Sequence, residues 1–262
     1  MNSNRSCAGS KPEDELVQSK SPSAVRGMFA AISPTYDQLN HAFSLNIDKA
    51  WRRTLARKVI QKDKSPQLIL DVCGGTGDLT VALGKQAQSL NLSTRVICSD
   101  FTPEMTRIAK NKFERYGEKG TRLIPFVADT TRLPFPDNTF DVVTVAFGIR
   151  NVYDPLVGLK EMARVCKPDG IVAVLEFSKT RSAIIDKGFA LYFTHILPTI
   201  GRWVTGTRAY SYLSKSVEHF PEGQEFCNLM TEATGSSTDQ KKLSFGIATL
   251  YTSTKKQAAE NQ

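Results

Sequence analysis

The chain has 262 residues, 40% of them hydrophobic, and a formal net charge of +8. This length and composition predict one globular domain, with or without additions, built around a hydrophobic core. No apolar run approaches the ~20 residues of a bilayer-spanning helix, which excludes a transmembrane segment from the interpretation.

The positive charge would suit nucleic acid or an anionic membrane face. The sequence contains no long run of basic residues and no aromatic-basic RNA motif, so we expect no nucleic-acid partner. Its five cysteines are scattered without a C-x-x-C pair, and it has only three histidines. We therefore expect buried thiols in a reducing compartment and no metal site.

The first residues carry acids and lack the apolar stretch of a secretory signal, which favours a cytoplasmic protein. Composition and hydrophobic spacing divide the chain into segments. These are a disordered tail at 1–23, a helical addition at 24–62, a core at 63–180, a helical insertion at 181–217, a last helix with strands at 218–255, and a tail at 256–262.

Two helices are predicted before the core. Helical spacing of apolar residues indicates the first over Val25–Ile32, and Pro34 ends it. The second is expected over Asp48–Ile60, with Asp48 as its N-cap and its apolar residues along one face.

The centre of the predicted core is one βαβ unit. The apolar run at Leu68–Val72 indicates a buried parallel strand, and a glycine turn follows it. The pattern becomes helical from Asp78, and a second apolar run, Arg95–Ser99, stops at Asp100. A strand, a glycine turn, a helix, and a second strand ending on an acid predict a nucleotide-type site at the carboxyl ends of the strands.

The remaining elements continue the alternation. Thr102, Pro103 and Glu104 open a helix with a cap, a proline and an acid, and Gly117 ends it. Strands joined by helical crossovers predict a doubly wound α/β sheet. The later predicted elements are strand Leu123–Val127, strand Phe140–Ala146, helix Tyr153–Cys166, turn Lys167–Gly170, strand Ile171–Phe177, helix Pro221–Ala233, and a last strand or strand pair at Lys242–Thr252.

The glycine turn itself reads D-V-C-G-G-T-G-D over Asp71–Asp78. Glycine lets a backbone pass closely under a ligand and adopt positive φ. This spacing differs from the G-x-G-x-x-G of dinucleotide-binding proteins, and it resembles motif I of the S-adenosylmethionine (SAM) methyltransferases. A turn of purely structural use is the alternative, which the surrounding strands, helix and acid disfavour.

Longer segments resemble the ubiquinone/menaquinone biosynthesis C-methyltransferases, a family of class I SAM-dependent enzymes. The resemblance implies a Rossmann-like, doubly wound, mostly parallel seven-stranded sheet, with a helical N-terminal addition and a helical insertion after the fifth strand. It also implies SAM as the cofactor and methylation of demethylmenaquinol to menaquinol. It runs from Val25 to Lys255, and its most specific parts are Tyr36–Trp51, Phe147–Val152, Arg164–Ser178 and Tyr212–Ser216.

The same resemblance implies where SAM would bind. The glycines would pass under its methionine and ribose, and Asp71 would orient their loop or meet the amino group. Asp100 would hold the ribose hydroxyls, while Asp129 and Thr130 would flank the adenine. The implied cofactor-binding residues are Asp71, Gly74, Gly75, Thr76, Gly77, Asp100, Asp129, Thr130 and Ala146, with Phe147 beside them.

Methylation of a ring carbon needs an electron-rich acceptor, which a quinol becomes when one hydroxyl proton leaves. Arg150 and Asn151 are candidates to hold the quinol oxygens and stabilise the anion, and a salt bridge or a cap at a strand end is the alternative. His195 is a candidate base, with a core histidine as its alternative. The candidates for the wall of the acceptor pocket are Tyr36, Asn40 and Tyr212.

Two apolar additions, 25–60 and 181–217, lie on either side of the core in sequence, and both could fold over the site. Together with their basic residues they could rest transiently on an anionic membrane surface, and a homodimer or core interface is the alternative. The basic residues are Arg52, Arg53, Arg57, Lys58, Lys187, Arg202 and Arg208.

The sequence does not decide whether the methyl acceptor is a naphthoquinol, a 2-polyprenyl-6-methoxy-1,4-benzoquinol, or both. One rival interpretation is a SAM-dependent O- or N-methyltransferase that acts on another small molecule or lipid. Another is a subunit with this fold that only scaffolds a quinone-synthesis complex, which the intact glycine loop and Asp100 disfavour.

Overall fold

The computed structural model describes residues 21–63, 67–116, 120–178 and 209–256. Most of the predicted tails and of the predicted insertion at 181–217 lie outside the described residues, and so does His195. The first helix begins at Pro22, inside the end of the predicted tail.

A seven-stranded sheet forms the centre of the molecule. Its strands are β1 Gln67–Val72, β2 Thr94–Asp100, β3 Thr121–Val127, β4 Phe140–Ala146, β5 Cys166–Phe177, β6 Thr238–Leu243 and β7 Ala248–Thr254. They lie in the order β3-β2-β1-β4-β5-β7-β6. The strands from β3 to β5 pair in parallel, whereas β7 runs antiparallel to both of its neighbours. This confirms the doubly wound, mostly parallel sheet.

Helices cover both faces of the sheet because its central strands are apolar on both sides. The described helices are α1 Pro22–Ile32, α2 Tyr36–Phe43, α3 Ile47–Val59, α4 Asp78–Ser89, α5 Pro103–Glu114, α6 Pro155–Val165, α7 Ala209–Glu218 and α8 Gln224–Thr234. One face of the sheet packs against α3 and α4, through residues such as Leu55 and Leu83. The opposite face packs against α6 and α8, through residues such as Met162 and Phe226.

The predicted N-cap role of Asp48 is wrong. Helix α3 begins one residue earlier, and Asn46, with φ of 61°, occupies its N-cap position. Asp48 is buried, and its carboxylate accepts hydrogen bonds from Ser44 and Arg52 and contacts His41. The Asp48 carboxylate therefore contacts residues of the preceding helix and of its own helix instead of capping the N-terminus of α3.

The predicted turn at Lys167–Gly170 is also wrong, because this segment belongs to strand β5. Asp169 has φ of 59°, and its amide donates to the Lys255 carbonyl at 3.0 Å. The pairing of β5 with β4 shifts register beside Phe140. Strand β5 therefore continues through the Pro-Asp-Gly sequence with a local irregularity instead of ending there.

The described parts of the two apolar additions meet at the carboxyl edge of the sheet. Val25 of α1 and Tyr212 of α7 pack together, with Phe29 and Phe101 against them. Phe101 directly follows the last residue of β2, so this contact places both helices beside the strand ends. None of the described helices has the length and apolar character needed to cross a membrane.

Candidate active site

A cleft with an empty volume of about 1000 Å³ lies at the carboxyl ends of β1, β2 and β4. Helices α1, α2 and α3 contribute its outer wall. The cleft brings together most of the cofactor-binding residues that the sequence implies. Those that line it are Asp71, Gly74, Gly75, Thr76, Asp100, Asp129, Thr130 and Ala146.

The glycine loop after β1 leaves room for a ligand at one position and is filled by protein at its others. A Cβ at Gly74 would lie 2.5 Å from Cys98 Sγ, and one at Gly77 would lie 2.5 Å from the Phe113 ring. A Cβ at Gly75 would meet no atom within 4 Å, although φ there is 56°. The loop therefore forms a shallow cradle whose open surface at Gly75 faces the cleft.

Asp100 fixes the relation between the glycine loop and the end of β2. Its Oδ2 accepts from the Gly75 amide at 2.9 Å, and its Oδ1 accepts from the Thr102 amide at 2.8 Å. Burial raises the pKa of Asp100, against the effect of these two hydrogen bonds. Each oxygen retains lone-pair capacity, so a rigid acceptor faces the cleft, as recognition of vicinal hydroxyls requires.

Asp71 holds the start of the glycine loop in place. Thr80 and Thr144 donate hydroxyl hydrogen bonds to its two oxygens at 2.7 and 3.2 Å, which ties β1 to α4 and β4. Burial raises the pKa of Asp71 to about 7, although these hydroxyls and the charge of Arg52 act to lower it. This arrangement suits the loop-orienting role that the sequence offered as one of two options.

Asp129 and Thr130 stand at the far side of the cleft. Asp129 is exposed, and its Oδ1 accepts from the Thr131 amide and hydroxyl, both at 2.8 Å. Thr130 is buried, with its hydroxyl 3.2 Å from Cys73 Sγ. The second oxygen of Asp129 is available to an external donor such as an exocyclic amine.

Sequence reasoning missed a close approach between the ends of β1 and β4. A Cβ at Gly148 would lie 2.4 Å from Cys73 Cβ, so only glycine fits there. Cys73 and Phe147 both have positive φ, at 48° and 59°. The Phe-Gly pair directly after a predicted strand was the available signal for this contact.

The candidate catalytic residue Arg150 is buried beside the cleft. It is 2% exposed, and its Nη1 donates to Glu176 Oε1 at 2.5 Å and to the Phe147 carbonyl at 2.6 Å. Asn151 lines the cleft, whereas Arg150 is not among the described residues that do so. Within the described part of the chain, Arg150 Nε and Asn151 Oδ1 are buried without a hydrogen-bond partner.

The candidate acceptor residues Tyr36 and Tyr212 lie within reach of the charge on Arg150. Burial raises the pKa of each phenol, and Arg150 opposes that effect in both. Tyr36 lines the cleft, and the neighbouring Asn40 side chain acts to lower its pKa. Tyr212 is 1% exposed, and its hydroxyl has no hydrogen-bond partner among the residues that the structure describes.

An ionic network that the sequence did not reveal connects the N-terminal helices with the glycine loop. Lys112 Nζ lies 2.7 Å from Asp37 and 2.6 Å from Asp78, and Thr76 donates its hydroxyl to Asp37. His41 extends the network, 3.3 Å from Asp78. His41, Asp48 and Asp78 bring ligand-type atoms within 4.8 Å of one another. Because Arg52 pairs with Asp48 and Lys112 with Asp78, we interpret the cluster as ion pairs.

Known structures share this architecture. A SAM-dependent methyltransferase from Thermotoga maritima, titled a possible histamine N-methyltransferase, superposes with a TM-score of 0.56 at 16% identity, covering 87% of this chain and all of its own. At that identity the likeness concerns the fold alone. The strand order and the position of the glycine loop are those of the class I SAM-dependent methyltransferase fold.

The family follows from the sequence comparisons. The model of the ubiE/COQ5 methyltransferase family matches residues 16–255, so the chain belongs to this family. A Deinococcus radiodurans protein named demethylmenaquinone methyltransferase is 42% identical, over 89% of this chain and 93% of the relative. A Geobacter sulfurreducens protein named ubiquinone/menaquinone biosynthesis C-methyltransferase UbiE is 40% identical, over 88% of each.

Proposed function

We propose that this protein transfers the methyl group of SAM to a ring carbon of demethylmenaquinol, which yields menaquinol. The observation that carries the proposal is the 42% identity, over 89% of the chain, to a relative named for that reaction. The cleft supports this proposal because a glycine loop suited to SAM and an apolar wall suited to a quinol line the same cleft.

The residues of the cleft suit SAM. The open surface at Gly75 would accept its methionine part, Asp100 its ribose hydroxyls, and Asp129 with Thr130 its adenine. When bound, SAM supplies an electrophilic methyl group on a sulfonium. The task of the protein is then to orient the acceptor and to make its ring electron-rich.

The acceptor would lie against the outer wall of the cleft. Asn151 Oδ1, which has no partner among the described residues, would accept a hydrogen bond from a quinol hydroxyl. Once a base has taken the proton of that hydroxyl, Arg150 would stabilise the phenolate by its nearby positive charge, and Tyr36 would hold an oxygen. His195 remains the candidate base by sequence alone. The apolar residues for the ring are Phe29, Phe101, Met105, Phe147 and Tyr153.

A second acceptor is supported by the other relative, whose name includes ubiquinone. The test is methyl transfer from radiolabelled SAM to reduced demethylmenaquinone and to reduced 2-polyprenyl-6-methoxy-1,4-benzoquinone, with organic extraction of each product. We expect label in the naphthoquinol. Label in the benzoquinol alone would replace the proposed acceptor, and label in neither would overturn quinol methylation.

Contact with a membrane surface at the cytoplasmic face follows from the proposed acceptor, because a polyprenyl quinol resides in lipid. Leu45 is 78% exposed and Phe245 is 83% exposed. Helix α3, which follows the turn that presents Leu45, is joined to the segment that presents Phe245 by a 2.8 Å hydrogen bond from Trp51 to Ser244. Large apolar side chains held in solvent beside exposed basic residues suit an anionic bilayer.

Co-sedimentation with phosphatidylglycerol-containing vesicles tests this contact. The Leu45→Asp and Phe245→Asp variants should sediment less than the wild type, while Val157→Asp, an exposed position on α6, serves as the control. Equal sedimentation of all variants would argue against these turns. A concentration-dependent dimer that Phe245→Asp dissociates would assign the same surface to a second copy of the chain.

A further inference from the structure

The charges that face the cleft are unevenly distributed. Four carboxylates line it, those of Asp71, Asp78, Asp100 and Asp129, while Arg52 is the one basic side chain among the described residues that do so. SAM carries an ammonium, a sulfonium and one carboxylate. An excess of acids suits the two cations, but the carboxylate needs a partner of opposite sign.

Arg52 is held in a fixed place. Its Nη1 donates to Asp48, one turn earlier on α3, and its guanidinium lies 5.3 Å from the centre of the Phe147 ring. The side chain is 12% exposed. An ion pair on one edge and a ring against its face fix the guanidinium plane while leaving other N–H groups for a ligand.

Arg52 lies at the part of the cleft where the methionine portion of SAM would bind. Asp48 contacts His41, and His41 lies 3.3 Å from Asp78, which follows the glycine loop directly. Consistently, the charge of Arg52 acts to lower the pKa of Asp71 and of Asp78. Asp129, on the adenine side, comes two residues after β3, whereas Phe147, the ring partner of Arg52, directly follows β4. Strands β2 and β1 lie between these two strands in the sheet.

We infer that Arg52 binds the α-carboxylate of SAM, with the open surface of the glycine loop facing the ammonium end. The inference rests on the proposed SAM site and adds a residue that neither the glycine motif nor the acid of β2 indicates. Helix α3 thereby becomes part of the cofactor site as well as of the outer wall. Two rival roles are a brace that only joins Asp48 to Phe147 and a contact to the quinol.

A ligand without the carboxylate separates these roles. Titration calorimetry would compare SAM with decarboxylated SAM, which keeps the sulfonium and the amine, on the full-length protein. Wild type should bind SAM at least about tenfold more tightly than decarboxylated SAM. Arg52→Gln should lose about tenfold to a hundredfold in SAM affinity, and should change the affinity for decarboxylated SAM little. Arg52→Lys should lie between the two, and Arg53→Gln, an exposed neighbour on the same helix, should match wild type.

Each other outcome has a definite meaning. If Arg52→Gln weakens both ligands equally, Arg52 is a brace and the inference is wrong. If it weakens neither, Arg52 does not touch the cofactor. If Arg52→Gln does not fold, Arg52→Lys takes its place in the comparison, and equal affinity of the wild type for the two ligands contradicts any carboxylate partner. Absence of SAM binding by wild type would overturn the proposed function itself.

Discussion

Arg150 and Glu176 form an ion pair beside the cleft, with 2.5 Å between Arg150 Nη1 and Glu176 Oε1 and side chains 3% and 1% exposed. Glu176 Oε2 has no hydrogen-bond partner in the described part of the chain. Burial raises the pKa of Glu176, and the adjacent Arg150 charge opposes that effect. The pair gives Arg150 a structural role, which must be separated from any action on the acceptor.

Removing one member of this pair should destabilise the protein strongly. Glu176→Ala leaves a buried guanidinium without its counter-ion, which should lower the free energy of unfolding by about 3–5 kcal/mol. The double variant Arg150→Met with Glu176→Leu should recover most of that loss, because no uncompensated charge remains. Urea unfolding of the wild type and both variants measures this.

The same double variant tests the action of Arg150 on the acceptor. If the Arg150 charge stabilises the phenolate, the folded double variant should bind SAM normally and lose methyl transfer by at least about a hundredfold. Retained turnover in a folded double variant would restrict Arg150 to its structural role.

Asp71 should make stability depend on pH. Its pKa of about 7 in the folded protein lies above its value of 3.8 in a solvated chain. Between these values the folded state holds a proton that the unfolded state has lost, so the contribution of Asp71 to stability falls as pH rises through this window. The loss should be about 2 kcal/mol between pH 5 and pH 7.

Asp71→Asn carries no titratable group and should lack this contribution. Urea unfolding of the wild type and Asp71→Asn at the two pH values, without SAM, isolates it as the change in their stability difference. A stability difference that is the same at both pH values would show that Asp71 is ionised throughout.

The sequence predicted the sheet well because its signals are local. Strand Phe140–Ala146 has the predicted bounds, and the turn from Asp71 through the glycines was placed on the edge where the cleft opens. A short apolar run needs no knowledge of distant residues to be recognised. The carboxyl ends of parallel strands then bring their polar residues to one edge.

Contacts between residues that are far apart in the sequence could not be predicted from local patterns. Lys112 and Asp37 are 75 positions apart, and Arg150 and Glu176 are 26 apart. Even over a short separation, Asp48 is used by side-chain partners, His41 seven residues before it and Arg52 four residues after it, instead of capping its helix. The cofactor-side role inferred for Arg52 depends on this same tertiary placement.

Two glycines of the loop should respond differently to alanine. Gly77→Ala forces a Cβ to 2.5 Å from the Phe113 ring at φ of 87°. It should lower the free energy of unfolding by about 2–4 kcal/mol. Gly75→Ala meets no atom, so it should cost stability only about 1 kcal/mol for its positive φ while reducing SAM affinity.

Thermal unfolding and SAM calorimetry distinguish the two effects. Gly27→Ala, in helix α1 with no atom within 4 Å of its added Cβ, is the control that should leave SAM affinity unchanged. Equal SAM affinity in Gly75→Ala and wild type would show that the open surface of the loop does not face the cofactor.

Asp100 combines two functions, since it positions the amides of Gly75 and Thr102 and faces the cleft. Asp100→Ala removes both and should abolish measurable SAM binding while leaving the core intact. Asp100→Asn keeps one oxygen acceptor but no charge, so it should lose about tenfold in affinity. Calorimetry with SAM measures both variants, and circular dichroism checks their fold. SAM affinity within about threefold of wild type in Asp100→Ala would exclude Asp100 as the ribose partner, because losing charged hydrogen bonds to two hydroxyls costs more than that factor.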